Sequence, residues 1–509
     1  MIGRGPHHRA LLTSTAIGLV ALSQARPAAA APIDIFTPGD LVISTISSLN
    51  GGGLDTAAPI VLQQFQLGAG GTSITDNGTL TLPQISNGAN SAISGEYGSA
   101  SEGILQRSVN GQYLTLMGYG VNATTFNTAP LSTYGTAALG QTTSLTPANQ
   151  TGTPVTTVPR VVALIGSGSN IDTSTTLTGV FNTNNPRSVA TVDGSSFYVS
   201  GQGVTGDGTG GVFYATKGAT TATAINANTT TPNTNSDVTD PATATETRDV
   251  QILNTGSGNT LFVSRDFNPK SGGNNDSTDI RTLTDGSGGL PTSSNGLVAT
   301  RFLPSVNSVQ GKNTGSIDLT APLDNNVNSS RNGKFVYLSP EQFFLANPTT
   351  MYVADSGQPK NGNANAAALG EGGLQKWSLV AGTWKLDYDL SNGLNLVNNA
   401  NANAATPTAP GVTGLFGLTG EVVGGQVELF ATSYGLNELS PSYLYEITDT
   451  LADTLPSQVT GEQFTTLYSA PSDTLIRGVA FAPTPEPASM AMFGVALAGI
   501  GLARRRRNR

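Results

Sequence analysis

The chain has 509 residues, of which 62 are glycine and 11% are charged, with two histidines and no cysteine. Both histidines, His7 and His8, lie in the first 30 residues, so the body has neither imidazole nor thiol, which excludes Ser-His-Asp and Cys-His catalysis and the usual zinc sites. Setting aside three arginines of those 30 residues, and five arginines and Glu486 of the last 25, leaves 16 basic against 32 acidic residues, a surface that repels nucleic acid and anionic headgroups.

Arg4 and Arg9 precede the apolar stretch Leu11 to Leu22, and Ala28-Ala29-Ala30 supplies small residues after it. This is the layout of a secretory signal peptide over residues 1–30, cleaved after Ala30 because Pro32 disfavours a cut after Ala31. Export without disulfides requires a large core, and the body, residues 31–484, is long enough to bury one.

Helical periodicity is nearly absent from that body. Short alternating runs bounded by Gly, Asn, Asp or Pro predict strands at Leu41–Thr45, Ile60–Gln66, Tyr113–Gly118, Val161–Ile165, Ser196–Ser200 and Val212–Ala215. Further runs are Leu261–Ser264, Met351–Ala354, Leu374–Leu379 and Val427–Ala431. The Thr/Ala/Asn-rich stretches 219–245 and 392–408 are expected to be loops.

A repeat of three strands underlies the pattern. Arg187-Ser-Val-Ala leads through Asp193-Gly194 to Phe197-Tyr-Val-Ser and Val212-Phe-Tyr-Ala; Arg248-Asp-Val-Gln leads to Leu261-Phe-Val-Ser and Ile280-Arg-Thr-Leu. Lys334-Phe-Val-Tyr leads to Met351-Tyr-Val-Ala and Leu374-Gln-Lys-Trp, and Leu415-Phe-Gly-Leu leads to Leu429-Phe-Ala-Thr and Tyr443-Leu-Tyr-Glu. Earlier in the chain, Gly103-Ile-Leu-Gln leads through Asn110-Gly111 to Tyr113-Leu-Thr-Leu and Arg160-Val-Val-Ala. Leu41-Val-Ile-Ser and Ile60-Val-Leu-Gln lack a first strand, and Arg477-Gly-Val-Ala-Phe is a first strand with nothing after it. Joined, they complete a sixth unit. The expected fold is an all-β, six-bladed β-propeller closed by strands from both ends of the body, a seventh blade within a long insert remaining open. Met351-Tyr-Val-Ala-Asp-Ser-Gly with Leu374-Gln-Lys-Trp resembles an NHL-type propeller blade. The alternative is a parallel β-helix with rungs of about 20 to 25 residues, against which the hairpin signals Asn110-Gly111 and Asp193-Gly194 argue.

Candidate chemistry is sparse. Arg187, Arg248 and Arg477 each open a proposed first strand, and first strands line a propeller's channel, where three guanidiniums would form a site for an anion or sugar acid. The competing expectation is that they form ion pairs with acids such as Asp249 or hydrogen-bond to neighbouring blades. Glu102, Asp355, Glu371 and Glu421 are candidate acids or bases for glycoside hydrolysis or polysaccharide elimination. Asn274-Asn-Asp-Ser-Thr-Asp279 with Asp285 offers oxygen ligands to calcium but lacks the spacing of a calcium loop. Gly201-Gln-Gly-Val-Thr-Gly206 spells a dinucleotide fingerprint, yet it lies between strands and is expected to be a loop. No cofactor is expected.

The tail, residues 485–509, is an address. Pro485-Glu486-Pro487 ends the body, Ala488 to Ala503 is an apolar run of 16 residues, eight of them alanine or glycine, and Arg504, Arg505, Arg506 and Arg507 follow. The run is shorter than the roughly 20 residues of a stable span, and the basic cluster would stay cytoplasmic. This tail resembles the PEP-CTERM sorting signal of Gram-negative bacteria. The resemblance implies export across the inner membrane, transient retention there through a short transmembrane segment, and processing by an exosortase. It further implies a cell-surface or extracellular protein associated with the exopolysaccharide of a biofilm matrix. The expected role is non-enzymatic, binding or scaffolding, with extracellular polysaccharide as a partner. The alternative is a carboxylate-based carbohydrate-active enzyme, a glycoside hydrolase or polysaccharide lyase.

Overall fold

The structure, a computed structural model, describes residues 35–485 apart from 205, 228–246, 268–276, 304–329, 332–333, 336–339, 358–371, 395, 397–410 and 436–437. The proposed signal peptide and the segment after Pro485 lie outside the described residues.

The chain begins with β1 (Leu41–Ser47), β2 (Ala57–Leu67), β3 (Ile74–Thr81), β4 (Ser94–Glu96), β5 (Gln106–Arg107) and β6 (Tyr113–Tyr119). An insert with two short helices, α1 (Ala123–Thr128) and α2 (Leu131–Tyr134), precedes β7 (Arg160–Gly166) and β8 (Ile171–Leu177). Nothing in the alternation of the flanking strands announces those helices; Asn122 starts α1 by accepting the Thr125 amide at 2.8 Å.

Four-stranded antiparallel sheets follow, each laid down in chain order. The first is β9 (Pro186–Ala190), β10 (Ser196–Gly201), β11 (Gly211–Thr216) and β12 (Thr223–Ala227). The second is β13 (Thr247–Asn254), β14 (Asn259–Phe267), β15 (Ser277–Thr284) and β16 (Val298–Leu303). A two-residue ladder, β17 (Ser330–Arg331) with β18 (Lys334–Phe335), intervenes. The third sheet is β19 (Pro340–Asn347), β20 (Thr350–Asp355), β21 (Gly373–Val380) and β22 (Thr383–Leu390). The fourth is β23 (Val412–Val423), β24 (Gln426–Gly435), β25 (Tyr443–Thr450) and β26 (Thr465–Ser469). These are four blades of a β-propeller arrangement.

The last strand, β27 (Thr474–Phe481), returns to the beginning. It pairs antiparallel with β1, from Leu41 opposite Phe481 to Ser47 opposite Thr474, with a bulge between Ile43 and Thr45. The sheet so formed runs β27-β1-β2-β4-β6-β7-β8, with β3 added on β2 and β5 on β6.

Strands in this arrangement are covered on both faces. Hence β10, Ser-Phe-Tyr-Val-Ser-Gly, is buried at every residue after Ser196 rather than at alternate ones. Apolar layers separate successive sheets: Met117, Leu164, Val189 and Phe213 form one, Tyr198, Val250 and Leu283 the next. Phe262, Phe343 and Trp377 form a third, and Tyr352, Leu415 and Leu429 a fourth. Phe430 and Leu444 of the last sheet pack with Leu41, Ile43 and Phe65 of the first strands, and with Ile476 and Val479 of β27.

The hairpin signals fall where expected. Gly111 and Gly194 have φ of +75° and +82°, the left-handed turn conformation that glycine adopts without strain. Two expectations are corrected. The first strand of the third sheet is Pro340–Asn347 rather than Lys334-Phe-Val-Tyr, because Lys334 and Phe335 are used in the small β17–β18 ladder. The stretch 219–245 is not all loop: Thr223–Ala227 is β12, which completes its blade by pairing with β11. Of the stretch 392–408, the part from 397 onward lies outside the described residues.

Candidate functional site

In three units the second-strand motif ends in a hydroxyl, and that hydroxyl positions the first strand that follows. Ser200 Oγ donates to the Arg248 carbonyl at 3.0 Å, Ser264 Oγ to Glu341 at 2.7 Å, and Thr432 Oγ1 to Arg477 at 2.7 Å. In Leu41-Val-Ile-Ser, Ser44 Oγ donates to the Gly103 carbonyl and accepts from the Gly478 amide, both at 2.8 Å. Each bond contributes about 0.5–1.5 kcal/mol net, and more is lost if a buried carbonyl is left unpaired. The outcome is that Arg248, Glu341 and Arg477 sit near the starts of β13, β19 and β27, where Arg187 sits in β9.

At that end the side chains reach from sheet to sheet. Arg187 donates through Nη1 to the Thr247 carbonyl at 2.9 Å and through Nη2 to Gln202 Oε1 at 2.8 Å. Arg248 Nη1 lies 3.8 Å from Glu341 Oε1, which also accepts from Ser356 Oγ at 3.0 Å. Tyr434, at the end of β24, packs on Phe416 and Ile104. Burial raises its phenol above the usual value; the positive fields of Arg248, Arg187 and Arg477 oppose that rise and Glu341 adds to it. One tyrosine thus senses all three arginines that the sequence singles out. Burial draws Arg477 down to about 10, against the fields of Glu102, Tyr434, Glu438 and Glu96. Its Nε and Nη2 are buried without a hydrogen-bond partner.

The expected pairing with Asp249 is corrected. The acid beside Arg248 is Glu341, while Asp249 Oδ1 accepts from Ser188 Oγ and Gln106 Nε2, each at 2.6 Å. Asp249 is raised to about 7 by burial.

Next to the arginines lies a pair of carboxyls. Glu96 ends β4 and Glu102 follows in the connection to β5; both are buried. Glu102 accepts the Tyr119 hydroxyl and faces the Glu96 amide at 3.4 Å, and Glu96 Oε1 accepts the Gly140 amide at 2.7 Å. Arg160 stands over the Tyr119 ring, 4.6 Å from its centre. Burial and then Glu102 push Glu96 up to about 9; burial pushes Glu102 up to about 7. Two carboxyls whose environments separate their pKa values are the raw material of acid–base chemistry.

Glu102 is therefore the sequence candidate that the fold brings to the arginines. Asp355 is bound to Gln375 and the Gly357 amide within its own sheet, Glu421 is exposed on β23, and Glu371 lies outside the described residues. Glu96, Glu341 and Tyr434 were missed. Glu341 carries a signal, since Pro340-Glu341 repeats the strand-start position of Pro186-Arg187; β4, three residues long, and the end of β24 carry none.

Of the calcium candidates, Asp279 lies between Arg265 at 2.8 Å and Arg281 at 2.9 Å, and Asp285 accepts the Ser287 and Gly289 amides of its own turn. Asn274 to Asp276 lie outside the described residues. Among the described residues no group of three or more His, Cys, Asp or Glu is gathered as for a metal ion. Gly201 to Gly206 connects β10 to β11 and opens no helix. A further buried network joins the last two four-stranded sheets: Lys376 Nζ donates to Asp449 Oδ2 and the Thr450 carbonyl, each at 2.8 Å, and Tyr352 and Tyr388 donate to the same carboxylate. Among the described residues no helix is long and apolar enough to cross a membrane.

Solved structures similar to the chain include the following two. One is the β-propeller domain of the Trilobed protease from Pyrococcus furiosus, described as having an open velcro topology, at 10% identity over 84% of this chain and 98% of that one, with a TM-score of 0.30. The other is the phage phi92 endosialidase, at 9% identity over 81% of this chain and 58% of that one, also with a TM-score of 0.30. No curated protein matches. The PEP-CTERM protein-sorting motif matches residues 483–507, which include Pro485, Glu486, Pro487 and Arg504 to Arg507. The chain thus carries at its C-terminus a PEP-CTERM sorting motif, which implies an exported protein recognised by an exosortase and processed at that end.

Proposed function

We propose that the protein is a non-enzymatic component of the cell surface or exopolysaccharide matrix, a closed six-bladed ring that binds acidic polysaccharide at the arginine end of its channel. The ring reading rests on the β27–β1 pairing and on the apolar layer in which Phe430 and Leu444 meet Leu41, Ile43 and Phe65. In it, β27 with β1, β2 and β3 forms one blade and β5 to β8 another, joined through β4. The observation that carries the binding reading is the gathering of Arg187, Arg248 and Arg477 around Tyr434, with Glu341 beside Arg248 and one edge of Arg477 buried without an acceptor. Guanidiniums suit the carboxylates of uronic-acid polymers.

Titration calorimetry with polygalacturonate tests this, with neutral dextran as control. Binding is expected for the former alone and should weaken as salt rises, since charges are screened within about 10 Å at 0.1 M ionic strength. Replacing Arg187, Arg248 and Arg477 together by glutamine should abolish it while the variant still melts cooperatively. Failure of the wild type to bind at low salt would refute the reading. A second reading, a carboxylate-based carbohydrate-active enzyme, is favoured by the Glu96–Glu102 pair. Release of new reducing or unsaturated ends during the same titrations would establish it.

A further inference from the structure

Among the described residues of the arginine end, Arg477 is a cation with an edge that no acceptor engages. Arg187 is held by Thr247 and Gln202 and Arg248 stands against Glu341, whereas Nε and Nη2 of Arg477 meet no acceptor. Those two nitrogens share one edge of the guanidinium, the edge that grips a carboxylate with two parallel hydrogen bonds. Arg477 is only 7% exposed, so this edge is desolvated without compensation until an anion reaches it.

The nearest internal anion is placed by backbone contact. The bridge from Gly103 through Ser44 to Gly478 draws the loop carrying Glu102 onto β27. A Cβ on Gly103 would come 2.9 Å from the Arg477 Cβ, and one on Gly478 would come 2.1 Å from the Leu105 amide nitrogen, so both positions require glycine. Glu102 is the strongest of the carboxyls acting on Arg477, yet its oxygens are turned to the Tyr119 hydroxyl and the Glu96 amide.

We propose that Arg477 is the residue that grips a ligand carboxylate, and that Glu102 sets the strength of the grip as a proton-dependent counter-charge. This rests on the binding reading above and adds which residue binds and when. Glu102 is faced by Glu96 from β4, Tyr119 from β6, Arg160 from β7 and Arg477 from β27; Glu438 and Tyr434 face Arg477 from the end of β24. Burial lifts Glu102 to about 7, and Glu96, lifted to about 9, keeps its proton through neutrality. Below neutrality Glu102 is uncharged and the field of Arg477 is unopposed; above it, the carboxylate offsets that field. Coupling is reciprocal, so a ligand carboxylate on Arg477 raises the Glu102 pKa, each unit corresponding to about tenfold in affinity.

The test is polygalacturonate affinity as a function of pH, its carboxylates staying ionised from about pH 5.5 to about 8.5. Wild-type affinity should fall about tenfold across that range with its midpoint near neutrality. Glu102→Gln should hold the tight value throughout. Tyr119→Phe removes a hydrogen bond that favours the carboxylate and should move the midpoint upward, which keeps the idea testable if Glu102→Gln does not fold. Arg477→Gln should lose binding at every pH. A wild-type affinity independent of pH, or one untouched by Arg477→Gln while the triple arginine variant loses it, would overturn this assignment and leave the binding reading standing. No wild-type binding at any pH would overturn both.

Discussion

Glu96 and Glu102 keep protons at pH values where carboxyls in water have lost them, and this makes the fold sensitive to pH in an unusual direction. An unfolded glutamate titrates near 4.5, whereas Glu96 and Glu102 titrate near 9 and 7 in the fold. Between these values the folded state binds more protons than the unfolded one, so stability falls as pH rises. Asp249, raised to about 7 by burial, adds to the trend. Asp193 and Asp285, lowered by the hydroxyls of Ser195 and Ser287, act in the opposite sense, at the acidic end of the range. The melting temperature should therefore be highest near about pH 5 and decline toward about pH 9, and Glu96→Gln should flatten the upper part of that decline. Thermal unfolding across the range checks this, and a rising curve would mean that the two glutamates are ionised and paired in the fold. At this scale the arginines were legible in the sequence because each opens a repeated strand pattern. Glu102 was a candidate acid or base, but Glu96 and the pairing of the two were not legible, because their burial arises from β4 and from the chain packed on Gly103 and Gly478, neither of which has a periodicity.

At the scale of elements, β27 is the piece on which the proposed ring depends. Its Ile476 and Val479 lie in the same apolar layer as Leu41, Ile43 and Phe430, and its pairing covers the free edge of β1. Each large apolar side chain in such a layer contributes about 1.5–3 kcal/mol. Deleting residues 474–483 should therefore lower the melting temperature of the whole body or prevent folding, rather than loosen one edge. Differential scanning calorimetry of the truncated chain is the measurement; an unchanged transition would mean that the blades do not need closure. The strand groups and the β27–β1 pairing were readable because first, second and third strands differ in spelling. The fourth strands were not, since β12 and β16 lie at the outer edge of their blades, where burial imposes little pattern.

On the scale of the molecule the proposed ring has two unlike ends. Arg187, Arg248 and Glu341 are second residues of β9, β13 and β19, so the arginine end is where first strands begin. At the other end a cavity of about 200 Å³ is walled by Ala190, Leu253, Leu345, Thr419 and Ala480. The chain leaves from that second end. Thr484 is fixed by its amide to the Gly111 carbonyl at 2.8 Å and by Arg107 Nη2 at 3.4 Å, and it borders a groove of about 410 Å³ shared with Asn170 and Lys217. Pro485, Glu486 and Pro487 separate it from the apolar run at Ala488, a tether of at most about 14 Å over four peptide links. On the ring reading proposed above, a sorting segment held in the bilayer would turn the arginine end away from it. The absence of cysteine permits a direct check by single substitutions. In membranes lacking the exosortase, Leu439→Cys, near the arginine end, should react with a bulky maleimide and Asn170→Cys should not. After release both should react, and equal labelling before release would contradict this orientation.

The sequence by itself determined what depends on local order: an address at the tail, strands in groups, hairpins at Asn110-Gly111 and Asp193-Gly194, and an inventory without thiol or imidazole. Such features are written in consecutive residues and need no knowledge of what lies opposite. Tertiary structure alone shows that Glu341 stands by Arg248, that Glu102 lies beside Arg477, and that the hydroxyls of Ser44, Ser200, Ser264 and Thr432 bond backbone of segments distant in the chain. Those relations join residues far apart in the chain. Their chemistry follows from burial and from the fields of partners far away in the chain, which no window of sequence contains.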